Sequence, residues 1–383
     1  MRAGIKILAL LLAAALAVTL VACGKDRSLT DDEKSRIQTR FQAYIDDRGF
    51  SGAVYALYKG EVIFDGGGGM ATDTLKNGSD IAYGVASLSK QVTAAAIMQL
   101  YESGKLDIND PLSKYFPDYR YGNKIQLIHL LSQRSGIPDY MVDSAKDKVV
   151  ISVFEGGKEY VLVDVKNTAE ENQKIIRDFF LSRDLLFEPG EQFDYSDSNF
   201  ALLAEIVAQV SGMKYHDYVR EHIFEPLGME HSGFIDDFDK EKITQVAQTD
   251  REDFSMDYFT VKGAEYGCGD VLTTPKDWYI WYRGLTGGKV VTESSYRMMT
   301  KNYSDKEELG YGFGLMISDE GDSKAVYHYG YIPSFYSGAI YIPEYDYFEV
   351  VLSNHAKGDP HKLAYDMALY FAAVIDMELG DVS

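Results

Sequence analysis

The fold depends on one stretch of the chain, residues 83–101, which reads YGVASLSKQVTAAAIMQLY. From Gln91 to Tyr101, apolar residues occur on every side of a helical projection, which predicts a helix that is buried all round. The same stretch places Ser87 and Lys90 three residues apart at the start of that helix. Side chains at this spacing are neighbours on a helix, so the lysine amine can reach the serine hydroxyl.

Ser87 and Lys90 form an S-x-x-K pattern that has two interpretations. Free N–H groups at a helix N-terminus can stabilise an oxyanion, and burial can lower the pKa of a lysine enough for proton transfer. A lysine in the first turn opposes the helix dipole by about 0.3–1 kcal/mol, which hints at a functional reason for its position. The alternative is that Ser87 caps the helix and Lys90 is solvated. A second match, Ser211 to Lys214, is interrupted by Gly212, which ends a helix.

Composition limits the class of protein. Of the 383 residues, 46% are hydrophobic, which is typical of a globular chain. The 59 acidic and 38 basic side chains give a formal net charge of −21, and such a surface repels nucleic acid. The sequence contains no H-E-x-x-H zinc motif, no G-x-S-x-G nucleophile elbow and no dinucleotide fingerprint after a strand. The S-x-x-K pattern is therefore the candidate for chemistry.

The first 23 residues are predicted to be a signal peptide that is not part of the fold. Arg2 and Lys6 precede a weakly polar to apolar run over 7–22, which is shorter than the ~20 residues that cross a bilayer. The run ends at Cys23 and resembles a bacterial lipoprotein signal, which implies cleavage, lipidation of Cys23 and a protein tethered outside the cytoplasm. An uncleaved helical anchor is the alternative. Cys268 then remains alone, as a small buried hydrophobe.

Secondary-structure patterns change along the chain. A hairpin pattern at 51–65 and strand patterns at 311–352 flank a region, 87–250, in which helical periodicity dominates. This order predicts an α/β (α+β) fold, with an antiparallel sheet formed from N- and C-terminal segments, flanking helices and an inserted mainly helical subdomain. Two strand patterns at 149–165 predict an inserted β-hairpin, which either lines a cleft or lies on the surface without a role in the site.

Several local predictions accompany this fold class. A capping box at Thr30 opens a helix, and another helix closes the chain over 361–377. The glycine run 66–69 is interpreted as a flexible strand exit, because no Lys-Ser or Lys-Thr follows it as in a phosphate-binding loop. Residues 311–317 are predicted to be one strand.

Two further motifs follow the S-x-x-K pattern, Tyr195-Ser196-Asp197 and His328-Tyr329-Gly330. In this order, the three motifs resemble those of the serine penicillin-recognising enzymes, in the version of class C β-lactamases, D-alanyl-D-alanine carboxypeptidases and their esterase relatives. The resemblance extends from about residue 40 to 380. Other stretches that look like family signatures lie at 104–107, 110–112, 130–131, 135–140, 187–190, 226–229, 273–277 and 352–354.

The resemblance implies a role for each motif residue. Ser87 is implied as the acylated nucleophile. Lys90 and Tyr195 are implied as the pair that takes its proton and later activates water, and the choice of base between them stays open. The backbone N–H groups of Ser87 and Tyr331 are implied as the oxyanion hole, and Gly330 as the point where an edge strand approaches the substrate. No metal or organic cofactor is implied.

Two motif positions depart from the common pattern of the family. Asp197 stands where Asn is usual, and an anion there could hold Lys90 as an ammonium and hinder it as a base. His328, implied to orient the substrate or the proton network, stands where class C β-lactamases usually have Lys. A neutral imidazole attracts the carboxylate of a β-lactam or of a D-Ala-D-Ala terminus only weakly. The histidine therefore favours peptidase- or esterase-type relatives over a true β-lactamase.

The resemblance implies an extracytoplasmic serine hydrolase that acts through a Ser87 acyl-enzyme on D-amino-acid cell-wall peptides or small esters. A class C-type β-lactamase and a catalytically weak penicillin-binding or sensing protein are the alternatives. We expect a monomer whose partners are its substrate and, through a lipid anchor, the membrane. The predicted organisation is a signal at 1–23, a spacer at 24–30 and one β-lactamase-related catalytic domain at 31–383, with an α/β part at 31–86 and 251–383 and a mainly helical part at 87–250.

Overall fold

The computed structural model describes residues 27–145, 148–155, 158–162, 168–248, 262–306, 309–319, 323–332 and 335–375. The predicted signal, with Cys23, lies outside these residues. Within them, none of the helices is both long enough and apolar enough to cross a membrane.

The first helix, α1 (Asp31–Arg48), begins at the capping box that the sequence predicts. The Thr30 hydroxyl accepts a hydrogen bond from the backbone N–H of Glu33, and the Glu33 carboxylate accepts one from the backbone N–H of Thr30. These two bonds satisfy N–H groups that a helix start leaves unpaired. The buried residues of α1 recur every four positions on one face: Ile37, Phe41 and Ile45.

The central sheet combines strands from both ends of the chain. In chain order, the described strands are β1 (Gly52–Tyr58), β2 (Glu61–Gly68), β3 (Tyr83–Gly84), β4 (Tyr140–Ala145), β5 (Lys148–Glu155), β6 (Lys158–Leu162), β7 (Gly233–Phe234), β8 (Val271–Thr273), β9 (Gly310–Tyr311), β10 (Met316–Ser318), β11 (Ala325–Ile332), β12 (Phe335–Ile342) and β13 (Tyr347–Ser353). Seven of them form one antiparallel sheet in the order β2-β1-β13-β12-β11-β10-β9. Because β1 pairs with β13, with Gly52 opposite Ser353, the predicted fold class is confirmed.

Both faces of this sheet are covered. Along β1, Ala53, Tyr55 and Leu57 pack into the larger hydrophobic core. The alternating residues Val54, Ala56 and Tyr58 pack into a second core. This alternation follows from the two-residue period of a strand, and it explains why all seven residues of β1 are buried.

The remaining helices lie mainly between β3 and β9. They are α2 (Ser89–Glu102), α3 (Leu127–Leu131), α4 (Ala169–Leu181), α5 (Asp197–Ser211), α6 (Tyr215–Val219), α7 (Glu225–Leu227), α8 (Pro275–Thr286), α9 (Glu293–Met299) and α10 (Pro360–Ile375). The predicted buried helix is α2, which carries eleven buried residues and ends just before Gly104. The last helix, α10, packs with α1 in the second core, on the far side of the sheet from α2.

Two strand predictions were wrong in detail. The glycines at 66–68 continue β2 and do not form a flexible exit. A Cβ on Gly67 would collide with the Gly52 carbonyl, so glycine allows the two strands to pair closely. The predicted strand 311–317 is two short strands, β9 and β10, separated by a turn that contains Gly314 at φ +69°. A Cβ at Gly314 would lie 2.6 Å from the Lys90 carbonyl, so this turn packs directly against α2.

The insertion predicted at 149–165 belongs to a three-stranded sheet of β4, β5 and β6. Residues 156–157 and 163–165 of the predicted hairpin lie outside the described residues. The sequence missed the first strand, β4, which begins at Tyr140 directly opposite Val153 of β5. Both residues are buried in the larger core, so this sheet is anchored to the fold at that point.

Candidate active site

Ser87 lies in a short 3₁₀ turn, Ala86–Leu88, directly before α2. The turn is clamped on both sides, because the Val85 N–H donates to the Val271 carbonyl and the Val85 carbonyl accepts from the Ser337 hydroxyl at 2.7 Å. Ala86 has a φ of +49°, a left-handed conformation that costs a non-glycine residue about 1–3 kcal/mol. The surrounding contacts hold this conformation, which presents the half-buried Ser87 side chain to a cavity.

Lys90 is fully buried, and its Nζ has three oxygen neighbours. Nζ lies 2.9 Å from Ser87 Oγ, 2.6 Å from Asp197 Oδ1 and 2.8 Å from the Cys268 carbonyl oxygen. Burial is the largest single influence on the pKa of Lys90 and lowers it. The Asp197 carboxylate, together with Tyr195, Cys268 and Tyr311, outweighs burial, so the net pKa is raised well above the ordinary value. Lys90 is therefore an ammonium ion in this arrangement.

Tyr195 faces Lys90 from the segment that precedes α5. Lys90 Nζ lies 4.9 Å from the centroid of the Tyr195 ring. The Tyr195 hydroxyl is buried and has no hydrogen-bond partner among the described residues. Burial raises the pKa of Tyr195 well above its ordinary value, although the Lys90 ammonium opposes this effect. The phenol is therefore protonated and available to a group that enters the cavity.

A polar network holds the Tyr195-Ser196-Asp197 motif in place. Gln133 Oε1 accepts hydrogen bonds from the Ser196 backbone N–H at 3.1 Å and from Asn199 Nδ2 at 2.5 Å. Asp139 Oδ1 accepts from the Asp197 backbone N–H at 2.6 Å. The helix cap is Ser196, and Asp197 is the first helical residue, so Asp197 does not cap the helix. Its side chain instead pairs with Lys90.

His328 lies on β11 and is only 1% exposed. Its Nδ1 is 2.6 Å from the Tyr329 carbonyl oxygen, which can only accept, so Nδ1 carries the proton and donates. Nε2 lies 3.5 Å from the Tyr311 hydroxyl. Burial, together with the Lys90 charge, lowers the pKa of His328 to about 3, so the ring is neutral.

These groups face a cavity of about 570 Å³. Its lining residues are Ser87, Asp139, Tyr140, Tyr195, Asp197, Glu265, Leu309, Met316, His328, Tyr329, Gly330, Tyr331, Ile332 and His361. On its wall, a Cβ on Gly330 would lie 2.7 Å from the Val85 carbonyl oxygen and 2.9 Å from Ala86 Cβ. Glycine thus lets β11 approach the turn that carries Ser87, while the 56%-exposed Tyr331 lies where the cavity meets solvent.

The structure brings Ser87, Lys90, Tyr195, Asp197 and His328 into one cluster, with Gly330 and Tyr331 on the same cavity wall. Of the predicted site residues, Cys23 lies outside the described part of the chain. The roles proposed for the others remain predictions.

Sequence reasoning missed three contributors to the site. The Cys268 carbonyl is a ligand of the Lys90 ammonium, and the Asp139 and Glu265 carboxylates line the cavity. Asp139 was inside a noted signature stretch, 135–140, but no spacing rule connects it to Asp197. Within the described residues, no group of three or more His, Cys, Asp or Glu side chains is arranged to hold a metal ion.

The chain is similar in sequence to a known family and to proteins within it. A family model described as Beta-lactamase matches residues 37–372. The putative penicillin-binding protein PbpX of Bacillus subtilis (strain 168) is 31% identical over 295 residues, which cover 76% of this chain and 67% of that protein.

Two solved structures share the fold. A penicillin binding protein from Bacillus halodurans has a TM-score of 0.70 at 24% identity, over 87% of this chain and 99% of that one. The D-amino acid amidase from Ochrobactrum anthropi SV3, in complex with L-phenylalanine amide, has a TM-score of 0.70 at 22% identity, over 89% of this chain and 99% of that one. At these identities, the likeness concerns the fold alone.

Proposed function

This chain belongs to the beta-lactamase family, and on that premise we propose that it is an extracytoplasmic serine hydrolase with Ser87 as its nucleophile. The proposed substrates are amides or esters, either D-amino-acid peptides of the cell wall or small esters. The single observation that carries the proposal is the 2.9 Å contact between Lys90 Nζ and Ser87 Oγ at the edge of an accessible cavity. The similarity of fold to a D-amino acid amidase supports the amide option.

The proposed reaction has two halves. Ser87 Oγ attacks the substrate carbonyl, its proton passes to the Lys90–Tyr195 pair, and the leaving group departs with a proton from that pair. The Ser87 and Tyr331 N–H groups are proposed to stabilise the oxyanion of the tetrahedral intermediate. Water then attacks the acyl-enzyme and gives a proton to the same pair. The bond between the acyl carbon and Ser87 Oγ breaks, the pair returns its proton to Oγ, and the acid is released.

The resting charges constrain the choice of base. Lys90 is an ammonium ion and Tyr195 a neutral phenol, because both have raised pKa values. One of the two must lose a proton before Ser87 can transfer its own. The enzyme is therefore expected to gain activity with rising pH, as the deprotonated form of the pair becomes more populated.

The groups around the cavity favour an open-chain amide or an ester over a β-lactam as the substrate. A neutral His328 provides no positive charge for the carboxylate of a β-lactam or a D-Ala-D-Ala terminus. A β-lactamase is thus the less favoured alternative. The ion pair between Asp197 and Lys90 supports a second candidate, a penicillin-binding or sensing protein that is acylated but turns over slowly.

The test is covalent labelling with a fluorescent fluorophosphonate and a fluorescent penicillin. We expect the fluorophosphonate to label the wild type and not the Ser87→Ala variant. Lys90→Ala and Tyr195→Phe are expected to lose about 10²–10⁴-fold of the turnover of p-nitrophenyl esters and to remain folded by circular dichroism. Near-normal turnover in both variants would refute the assigned roles, and labelling without turnover would favour the slow binding protein.

A further inference from the structure

Three carboxyl groups line the cavity beside Ser87, and Lys90 pairs with one of them. Asp139, Asp197 and Glu265 all line it, and within the described residues no lysine or arginine does so. Lys90 lies beneath the cavity and forms its ion pair with Asp197. Among the described residues, neither Asp139 nor Glu265 has a cationic partner within ion-pair distance.

The contacts of these two carboxylates are weaker than those of Asp197. Asp139 accepts the Asp197 backbone N–H at 2.6 Å, which uses one of its two oxygens. Glu265 Oε2 has the Cys268 thiol at 3.9 Å, and a thiol is a weak donor. Burial, followed by the Asp197 charge, raises the pKa of Glu265 to about 8, and burial also raises that of Asp139. A positive group in the cavity would favour the ionised form of both side chains.

A second observation indicates that the cavity receives a ligand. The Tyr195 hydroxyl is buried, faces the cavity and has no hydrogen-bond partner among the described residues. An unpaired buried hydroxyl costs about 1–3 kcal/mol, which a hydrogen bond to a bound molecule would offset. Ser87 also lines the cavity, so the carbonyl group of a bound substrate must lie next to its hydroxyl.

We propose that Asp139 and Glu265, here called the acidic wall, bind a positively charged amino group of the substrate. This inference rests on the proposed hydrolase function and narrows it to amides and esters that carry a free primary amine. An amino-acid amide or ester with an unblocked α-amino group has this chemistry. The cavity volume of about 570 Å³ is within the range of small-molecule sites.

The test compares three substrates with the same leaving group at pH 7: D-alanine p-nitroanilide, its N-acetyl derivative and its N-succinyl derivative. They present a cation, a neutral group and an anion at the same position. We expect wild-type kcat/KM to be at least about tenfold higher for the free amine than for the N-acetyl substrate, and lowest for the N-succinyl substrate.

The variants Glu265→Gln and Asp139→Asn remove a carboxyl group that a bound ammonium group would ionise, while keeping the shape and an acceptor oxygen. Each is expected to lower about tenfold the ratio of kcat/KM for the free amine to kcat/KM for the N-acetyl substrate, whatever its effect on the N-acetyl substrate alone. Glu221→Gln is the matched control, because Glu221 is exposed and does not line the cavity. The rate of fluorophosphonate labelling at Ser87 reports whether each variant is folded.

The outcomes separate the two proposals. If the wild type is labelled and cleaves the N-acetyl or N-succinyl substrate at least as well as the free amine, the acidic wall has no such role and the hydrolase proposal stands. If the two variants lose kcat/KM equally for the free-amine substrate and for the N-acetyl substrate, the proposed role of the acidic wall is also wrong. If the wild type is neither labelled nor active on any substrate, both proposals fail.

Discussion

At the scale of single residues, the three acceptors around the Lys90 ammonium define its state. Nζ has three N–H donors, and Ser87 Oγ, Asp197 Oδ1 and the Cys268 carbonyl are within hydrogen-bond distance. An ammonium ion has no lone pair, so it can orient Ser87 but cannot accept its proton. The usual Asn at position 197 would be a neutral acceptor. The aspartate therefore stabilises the form of Lys90 that is inactive as a base.

The first prediction concerns Asp197→Asn, which should increase activity. Removal of one negative charge at 2.6 Å lowers the pKa of Lys90, because an adjacent opposite charge typically shifts a pKa by about 1–3 units. The deprotonated amine is then at least about tenfold more populated at neutral pH. We expect the rate of Ser87 acylation at pH 7 to rise by a similar factor. The rising limb of the pH–rate profile should move to lower pH.

Asp184→Asn is the control for this gain, because Asp184 pairs with Arg120 at the surface. It should leave the acylation rate and the pH profile unchanged. A loss of acylation in Asp197→Asn comparable with that in Ser87→Ala would contradict the prediction. It would mean that the carboxylate is required for the reaction.

Residue-level prediction worked where the contacts are local. The i to i+3 spacing of Ser87 and Lys90 is a property of one helical turn, so the sequence predicts their contact directly. The Cys268 carbonyl is 178 positions away from Lys90, and the backbone of any residue could in principle fill that place. Only the assembled fold identifies such a partner, and the same is true of Asp139 and Glu265.

At the scale of elements, the site depends on how closely β11 approaches the turn that carries Ser87. Gly330 is the point of contact, because a Cβ there would lie 2.7 Å from the Val85 carbonyl oxygen. The side chain of Ser337 on β12 donates a hydrogen bond to that carbonyl. The Val85 carbonyl is thus bonded to β12 and packed closely against Gly330 of β11.

The second prediction is that Gly330→Ala slows acylation by on the order of 10²-fold. The added methyl group must push β11 away from the nucleophile turn, and a displacement of about 1 Å at a reacting group costs about that factor. The rate of fluorophosphonate labelling measures the effect. Gly78→Ala is the control, since a Cβ there meets nothing within 4 Å, and it should label at the wild-type rate. Normal labelling of Gly330→Ala would show that the close approach is unnecessary.

Helix α6 is attached to the fold through a partly buried charged cluster. His216 Nε2 lies 2.8 Å from Asp270 Oδ2, its Nδ1 lies 3.8 Å from Asp237 Oδ2, and its ring stacks on Phe234 at 3.8 Å. Burial alone would lower the pKa of His216, but the two carboxylates raise it to about 9. The imidazolium therefore neutralises Asp270, which is only 4% exposed.

The third prediction is a loss of stability as the pH rises through about 9. A histidine whose pKa rises from 6.5 to about 9 on folding contributes about 3 kcal/mol, fully present below pH 6.5 and lost as the pH passes the folded value. His216→Gln should lower the free energy of unfolding in urea by a similar amount at pH 6. The difference from wild type should shrink at pH 9.5. His222→Gln, at an exposed histidine, serves as the control, and a difference for His216→Gln that is independent of pH would exclude this role.

The prediction of helices and strands succeeded for long periodic segments. It failed where a glycine allows close contact with a distant part of the chain. The all-round apolar pattern of α2 and the capping box of α1 are local signals, and both helices form as predicted. Gly67 and Gly314 look like breakers in the sequence. In the structure they allow close contact with another backbone, at the Gly52 and Lys90 carbonyl groups. Such approaches depend on the partner segment and cannot be derived from the glycine alone.

At the scale of the whole molecule, closure of the sheet explains why distant motifs converge. Because β1 pairs with β13, the two ends of the chain form one platform, and the helices between them return α2 and the start of α5 to the edge near β11. The order of strand and helix patterns predicts this arrangement. It does not predict the walls formed by Tyr140 and Glu265, because Tyr140 begins a strand of a separate sheet and Glu265 lies in a turn, and neither position has a local signal that directs it to the cavity.

The fourth prediction concerns the tether. Processing at Cys23 would remove Arg2 and Lys6, so the formal charge of −21 would become −23, and a body with this charge is repelled by anionic lipid. Membrane association should therefore depend on the lipid alone. In a bacterial host, we expect radioactive palmitate to label the wild type and not Cys23→Ser, which should leave the membrane fraction or remain unprocessed. Cys268→Ser should keep the label, since Cys268 is buried. Palmitate on Cys23→Ser, or a wild type found only in the soluble fraction, would rule out the lipid anchor and leave the proposed chemistry at Ser87 unaffected.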